Sequence, residues 1–509
     1  MNAPEQTSVD VATSSPGEES REGQRASGGG HRRPPGARSV AVSLGKSAGW
    51  LSRRLGQGGG TTLPGYVAER IDPGFLADLG RSIPNGTVVV TGTNGKTTST
   101  RILTDALRRA GLTPINNREG SNLSRGLTTT LLDHTDLRGR LNVPENAIGV
   151  FEVDEGNLAA VLDAVQPRLV LITNLFRDQL DRYFEVDYIA TLWARGLERL
   201  ATSTPIVLNA DDPQVAYLGE GIQHPVLHFG LEDTRISRPG SDHTSDARRC
   251  LRCNVDLVYS STYYAHLGHY ACQRCGWRRP QPRVGAWRVD LGGLGGSSVV
   301  AATPWGDQEF AVPLPGLHNV YNALSAGAAA FSLGVEAPAV REAVANARPA
   351  FGRLERFTIE GREVCLALVK NPSGFNQMLR LLIAGDDSTT GLLLALNDAG
   401  PDGRDVSWIW DADLDLCRGR TSSIVVSGTR AHDMALRLKL AGCYDGETIS
   451  AGGQLADIVV EPDIVRAFWL ALERVPPGDR LCVLPTYTAM WTLRTELARR
   501  GHVGEFWEQ

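Results

Sequence analysis

Long apolar runs are missing from this chain. No stretch reaches the roughly 18 residues needed to span a bilayer, so no transmembrane helix is expected. The N-terminus lacks a charged start followed by an apolar core, which argues against a secretion signal and for a cytoplasmic protein. Positive charge is not in excess either. A net charge of −5 speaks against non-specific affinity for nucleic acid. No internal repeat is visible. What remains is an ordinary soluble composition, 42% hydrophobic and 21% charged, in a chain of 509 residues that exceeds a single core.

Residues 1–38 are rich in Ser, Gly, Pro, Glu and Arg without apolar periodicity and read as a disordered tail. Its five Arg are balanced by five acids, so it is not a basic arm. From Val40, apolar residues at Leu44, Ala48, Leu51 and Leu55 have helical spacing, with Lys46, Arg53 and Arg54 on the other face. This reads as a packed surface helix, with a membrane-surface helix as the alternative. Gly56–Gly60 then breaks the chain.

The stretch Val88-Val-Val-Thr-Gly-Thr-Asn-Gly-Lys-Thr-Thr98 organises the rest. β-Branched residues end a buried strand, a glycine loop follows, and a helix continues to Ala110. Such a turn cradles nucleotide phosphates. Loop amides and the helix N-terminus face the anion, the Lys96 ammonium lies against the outer phosphates, and the Thr97 hydroxyl can ligate Mg²⁺. Gly92, Thr93, Asn94, Gly95, Lys96, Thr97 and Thr98 are therefore candidate ATP-binding residues. The general P-loop carries a glycine five positions before the second glycine, where this chain has Val90; its first glycine is Gly92.

Strand-like runs Ile148–Val153, Arg168–Asn174 and Pro205–Asn209 alternate with helical patterns such as Asp187–Leu200. This predicts an α/β fold with a mostly parallel, doubly wound sheet, whose ligands sit at the carboxyl ends of the strands. Magnesium needs carboxylates there, and Phe151-Glu-Val-Asp-Glu155 supplies them. The pattern breaks at about 247–280, where Cys250-x₂-Cys253 and Cys272-x₂-Cys275 stand 18 residues apart. Two such knuckles complete a tetrahedral Zn²⁺ site with no open position, so a structural zinc ribbon is expected. Its arginines leave a nucleic-acid-binding ribbon as a rival reading. Sheet pattern resumes near Val299 and runs to a helix from Asn319 to Leu333. A second α/β unit starts near Gly352, with strands at Val364–Val369, Gly391–Leu396, Ser423–Val426 and Leu481–Leu484. The boundary falls at about 350, giving expected domains of 39–350 and 351–509. Cys365, Cys417, Cys443 and Cys482 read as buried small hydrophobes.

The T-G-T-N-G-K-T-T loop resembles that of the Mur ligase and folylpolyglutamate synthase superfamily, which joins amines to carboxylates through acyl phosphates. Thr173-Asn-Leu-Phe-Arg-Asp-Gln-Leu-Asp181, Asn209-Ala-Asp-Asp-Pro213, Gly316-Leu-His-Asn-Val-Tyr-Asn322 and Gly352-Arg-Leu-Glu-Arg356 are similar to further superfamily motifs. The resemblance implies that Glu152 binds Mg²⁺, with Glu155 the second choice. It also implies that Asn322 reads adenine, that His318 positions the phosphate loop, and that Arg353 contacts nucleotide. Lys370-Asn-Pro372 stands where the last domain faces nucleotide and substrate. Two departures put a second metal in doubt. Gln179 replaces the family's His, and Trp193 stands near the place of a carbamylated Lys; Asp178 remains a candidate ligand.

The four-Cys insertion together with Asn397-Asp-Ala-Gly-Pro-Asp-Gly-Arg-Asp-Val-Ser-Trp-Ile-Trp410 resembles the ligase subunits of lipid II isoglutaminyl synthases, over about residues 40–509. That resemblance implies a Mur-ligase-type P-loop ATPase domain with an inserted zinc ribbon, followed by a Rossmann-like C-terminal domain. The UDP-binding N-terminal domain of ordinary Mur ligases is not expected. The implied activity is ATP-dependent amidation of lipid II at the inner face of the plasma membrane, with ATP, Mg²⁺ and Zn²⁺ and no nucleic acid. No cysteine lies in a G-x-C-x-G elbow, so ammonia is expected from a glutamine amidotransferase partner, GatD, in a heterodimer. Asp398 is the residue implied to complete the partner's Cys–His pair, with Asp402 and Asp405 as alternatives. A folylpolyglutamate-synthase-like amino-acid ligase is the competing enzyme reading.

Overall fold

The computed structural model describes residues 36–54, 62–117, 120–177, 186–238, 246–349, 352–383, 390–443 and 457–504. Residues 1–35 of the tail expected at 1–38, the break at 56–60, and Asp178 and Gln179 lie outside them, while Ala37 and Arg38, at the end of that expected tail, already belong to a helix. The first helix runs Ala37–Arg54 and packs on a second, Leu63–Ile71.

The first sheet begins with β1 (Thr87–Thr91), β2 (Thr113–Asn116), β3 (Ala147–Glu152), β4 (Leu169–Ile172), β5 (Ile206–Asn209) and β6 (Val226–Leu231). These strands are parallel, in the order β2-β3-β1-β4-β5-β6. β1, β3, β4 and β5 are buried along their whole length, because helices cover both faces. The two-residue period of β1 divides its valines between those layers. Val88 and Val90 pack with Ile102, Leu103 and Leu324, while Val89 packs with Phe75, Leu162 and Trp193. The helices Lys96–Arg109 and Leu317–Ser332 lie together on the first face. Small residues of the second let the backbones approach, and Ser99 and Ser325 share a hydrogen bond of 2.9 Å between hydroxyls.

A two-stranded antiparallel hairpin, β7 (Val258–Tyr264) and β8 (Leu267–Ala271), carries the cysteine knuckles. The chain then rejoins the first sheet through β9 (Val284–Leu291), parallel to β6, and continues antiparallel as β10 (Ser297–Thr303) and β11 (Gly306–Val312). The first sheet thus has nine strands, and its last three form an antiparallel meander. β9 had no counterpart in the sequence reading. Beyond its buried first three residues it is mostly exposed, so a run of apolar residues never develops.

The second sheet has six strands: β12 (Glu355–Ile359), β13 (Arg362–Leu366), β14 (Thr390–Ala395), β15 (Thr421–Ser427), β16 (Asp457–Val460) and β17 (Arg480–Pro485), in the order β12-β13-β17-β14-β15-β16. All neighbours are parallel except the β12–β13 hairpin. That hairpin turns on Glu360 (φ 49°) and Gly361 (φ 75°), the paired left-handed residues that a tight two-residue turn requires. The four isolated cysteines are buried in this second unit, as expected.

Candidate active site

β1 ends at Thr91, and the chain turns into the helix Lys96–Arg109 through Gly92 (φ 132°) and Gly95 (φ 86°). Both glycines are required. A Cβ on Gly92 would run into the Thr173 hydroxyl, and one on Gly95 into Asn322 Oδ1. The shortened motif with Gly92 as its first glycine thus has a local cause, since the residue after β4 occupies the space beside it.

The strap Thr173–Phe176 holds the loop from the other side. Asn94 N donates to Asn174 Oδ1 at 2.8 Å, and Asn174 Nδ2 returns a bond to Asn94 O at 2.9 Å. Thr173 Oγ1 donates to Asn94 O (2.8 Å), Thr93 N to Asn174 O (3.0 Å), and Thr93 Oγ1 to Phe176 O (3.1 Å). Asp212 fastens the strap in turn, accepting from Leu175 N at 2.8 Å and capping the short helix that starts at Pro213. The three polar motifs at the ends of β1, β4 and β5 are therefore one hydrogen-bonded unit.

Lys96 is buried. Its Nζ donates to Gly92 O (2.5 Å), Thr93 O (3.3 Å) and Glu155 Oε1 (3.1 Å). Burial alone would raise the Glu155 carboxyl, but the Lys96 ammonium and then Lys370 outweigh it and hold the group down to about 2. Glu155 is thus the acid that faces the P-loop lysine. Glu152 ends β3, buried, with its backbone bracketed by Asn117 through Glu152 N→Asn117 Oδ1 (2.9 Å) and Asn117 Nδ2→Glu152 O (3.0 Å). Trp193 is wholly buried and donates from its indole to Glu155 O at 2.9 Å, so this position buttresses the acidic turn from behind.

A cavity opens beside the loop. Asn94, Gly95, Thr98, His318, Asn322 and Arg353 all line it, as does Tyr264 from the tip of the β7–β8 hairpin. Asn322 Nδ2 donates to Asn319 Oδ1 at 3.0 Å, which fixes its amide. Burial, with Arg353 nearby, pushes His318 down to about 4, so its imidazole is neutral near pH 7. The second sheet closes the cavity. Asn371, at the start of the helix Pro372–Ile383, donates from Nδ2 to Asn94 Oδ1 at 3.3 Å.

Sequence reasoning named Asn94, Gly95, Lys96, Thr98, Glu152, Glu155, His318, Asn322 and Arg353, but not Asn117, Asn371's bridge or Tyr264. Tyr264 belongs to an insertion far away in sequence, and no local signal marks it. The Asp212-Pro213 pair, an N-cap followed by proline, was the readable sign of the capped turn.

The three candidate aspartates beyond β14 differ in environment. Asp398 is about one-third exposed, and its carboxylate accepts from Thr429 Oγ1 (2.8 Å) and Arg430 Nη1 (3.3 Å), which lower its pKa. Asp402 is buried and accepts from Thr488 N (2.7 Å) and Thr488 Oγ1 (2.6 Å), capping the helix Tyr487–Arg499. Asp405 accepts from Ser407 N at 2.8 Å within its own turn.

The cysteine knuckles are built alike. Cys250 O accepts from Asn254 N and Cys272 O from Gly276 N, and each turn closes on a left-handed residue, Asn254 (φ 58°) and Gly276 (φ 73°). The four sulfurs lie within 4.8 Å of one another, with Cys250–Cys275 at 3.5 Å and Cys253–Cys272 at 3.4 Å. A tetrahedral zinc with Zn–S of about 2.3 Å has sulfurs about 3.8 Å apart, so four thiolates so placed fit the ion.

Residues 90–255 match the Mur ligase middle domain, and residues 368–490 match the MurT ligase C-terminal family. The lipid II isoglutaminyl synthase (glutamine-hydrolyzing) subunit MurT of Streptococcus pneumoniae is 32% identical over 91% of this chain and 97% of its own. That of Staphylococcus aureus is 30% identical over 92% and 99%. Among solved structures, a pseudomurein peptide ligase type C from Methanothermus fervidus superposes with a TM-score of 0.60 at 22% identity, over 83% of this chain and 80% of that one. MurF ligase from Thermotoga maritima in complex with ADP gives 0.56 at 13% identity, over 86% and 85%. The solved structures share the fold. The full-length sequence identity goes further, and it places this chain in the MurT family of the Mur ligase superfamily of ATP-dependent ligases.

Proposed function

We propose that the chain is the ligase subunit that amidates the D-glutamate α-carboxylate of lipid II, giving D-isoglutamine in peptidoglycan biosynthesis. The similarity to lipid II isoglutaminyl synthase subunits along nearly the whole length carries this reading. A carboxylate oxygen of the substrate attacks the γ-phosphorus of ATP, ADP leaves, and an acyl phosphate forms. Ammonia then attacks the acyl carbon, phosphate departs, and the nitrogen loses a proton. Lys96 stabilises the charge on the transferring phosphoryl group, and the Gly92–Thr98 loop holds the phosphates through its amides. Asn322 and Arg353 orient the nucleotide, and neutral His318 packs against its loop without adding charge.

Thr97, in the first turn of the helix after β1, and Glu152 and Glu155, at and just beyond the end of the neighbouring β3, offer hard oxygen donors whose chemistry suits Mg²⁺ and not a softer metal. When bound there, Mg²⁺ neutralises phosphate charge. Zn²⁺ on Cys250, Cys253, Cys272 and Cys275 is a structural staple of the ribbon. The domains assigned are 39–350 and 351–509, the second Rossmann-like.

Ammonia comes from a partner glutaminase of the GatD type. The isolated cysteines Cys365, Cys417, Cys443 and Cys482 are at most 1% exposed, and the other four are committed to the cluster, which supports an external nucleophile. Of the aspartates, Asp402 is buried and caps a helix and Asp405 closes its own turn on a backbone amide, whereas Asp398 is partly exposed and held by the Thr429 and Arg430 side chains, which favours it as the group that orients the partner's histidine. The enzyme works in the cytoplasm on the inner leaflet.

The test is co-expression with the glutaminase, then mass spectrometry of lipid II after incubation with ATP and glutamine. The carboxylate-to-carboxamide mass change should vanish in Lys96→Ala with either nitrogen source. In Asp398→Asn it should vanish with glutamine and return with free ammonia. Incorporation of an amino acid in place of ammonia would overturn the reading.

A further inference from the structure

The helix Ala37–Arg54 packs through small residues. Ala41 and Val42 are fully buried, and Gly45 is so close to the second helix that a Cβ would press on Pro64 O. Its opposite face has no cover among the described residues. Val40, Leu44 and Leu51 project there at helical spacing, half-exposed, over a length of about 16 Å. Trp50 flanks them at 55% exposure, with the Arg54 guanidinium 4.9 Å from its ring centroid.

A loop runs along the same helix. Gly139 abuts the Arg38 side chain, and Lys46 Nζ donates to Thr135 O at 2.6 Å. Its tip, Leu137, is 70% exposed and is followed by exposed Arg138; Arg140 is exposed as well. Asp136 accepts from the Arg138 and Arg140 amides and closes this loop.

Charge is segregated to this corner. The helix holds Arg38, Lys46, Arg53 and Arg54 and no acid, while the whole chain is at −5. Asp72 and Asp78 neutralise Arg38, and Asp133 and Asp136 balance Arg138 and Arg140, so the excess of positive charge belongs to the helix. Exposed leucines with a tryptophan and the Arg54 guanidinium beside its ring, on a helix that carries four cations and no acid, match the chemistry of a bilayer interface. The leucines enter the acyl boundary, the indole lies at the headgroups, and the cations meet anionic phosphates.

We infer that the face of the helix Ala37–Arg54 formed by Val40, Leu44, Trp50 and Leu51 docks the protein on the surface of an anionic phospholipid bilayer. A second copy of the chain would satisfy the leucines but not the cations, because the same patch would meet its own charge.

The full-length protein is sedimented with vesicles of phosphatidylglycerol and phosphatidylcholine in equal parts, and with phosphatidylcholine alone. Binding to the anionic vesicles, weakened by salt, is expected. Leu44→Ser/Leu51→Ser should weaken it about tenfold or more, with melting temperature and ATP turnover unchanged because both residues lie outside the core. Wild-type protein that ignores the anionic vesicles, or a double variant that binds them equally well, would overturn the inference. So would a wild-type dimer in solution that the double variant converts to monomer. No lipid II enters the assay, so its failure leaves the amidation reading untouched.

Discussion

Lys96 and Glu155 form the buried ion pair on which the charge of the phosphate cradle depends. In the folded chain the Glu155 carboxyl drops from 4.5 to about 2, so the folded state binds the proton less readily than the unfolded one. The stability that this group contributes is therefore full above about 4.5 and lost as pH falls towards about 2. Glu155→Gln should flatten the acid limb of a melting-temperature profile between those values, with the largest difference from wild type at neutral pH. Superimposable profiles would show that the pair contributes nothing to folding. The sequence pointed to an acid at this strand end and ranked Glu152 first. That ranking concerns Mg²⁺; the ion pair with Lys96 falls to Glu155 because a 3₁₀ turn, Glu155–Asn157, swings the later carboxylate towards the lysine, and residue type alone does not encode that swing. Gly92, Gly95 and Lys96 were legible because their roles are local. Tyr264 was not, since it reaches the cavity only through the folding of an inserted hairpin.

At the scale of elements, two motifs are held by groups distant in sequence. The helix Tyr487–Arg499 has no side-chain cap from its own N-cap, Thr486, and Asp402 supplies one from the loop after β14. Asp402→Ala should cost about 1–2 kcal/mol, read as a lower melting temperature, because a buried amide loses its acceptor. Asp398→Ala should leave melting unchanged. A stable Asp402→Ala protein would dissolve this distinction between the two aspartates. The cysteine ribbon offers a second case. Its spacing was readable in the sequence, but its contact with the nucleotide cavity was not. Tyr264 stacks on Phe176 of the strap, with ring centroids 5.9 Å apart, so the hairpin tip and the P-loop support each other. Cys253→Ser should abolish stoichiometric zinc in metal analysis and weaken ATP binding several-fold through this contact. Zinc lost with ATP affinity intact would confine the ribbon to a purely local role.

Across the whole molecule, the two sheets meet through a few contacts. Asn371 reaches Asn94, Arg356 Nη1 donates to Leu294 O at 3.2 Å, and Arg177 reaches Asp411 at 3.2 Å. The exposed Arg177–Asp411 ion pair contributes little, about 0–1 kcal/mol, so a ligand that fills the cavity between the sheets and touches both would add to what holds them together. Lys370 and Asn371 bring the second unit to the phosphate cradle, one lowering the Glu155 pKa and the other bonded to the loop. Asn371 has two duties that one substitution separates. Its Oδ1 accepts from Gly374 N at 2.8 Å and starts the helix Pro372–Ile383, while its Nδ2 bridges to the P-loop. Asn371→Asp keeps the acceptor for the helix and replaces the bridging donor with a carboxylate facing Asn94 Oδ1 and the bound phosphates. Melting without nucleotide should therefore stay at the wild-type value, while ATP affinity measured by calorimetry falls about tenfold or more, as one repulsive contact of about 1.4 kcal/mol would produce. The nucleotide-induced rise in melting temperature should shrink in parallel, because that rise is set by ligand concentration over Kd. Equal ATP affinity in the variant would mean that the bridge plays no part in closure and that the second sheet is positioned by the linker after β11 and its helices.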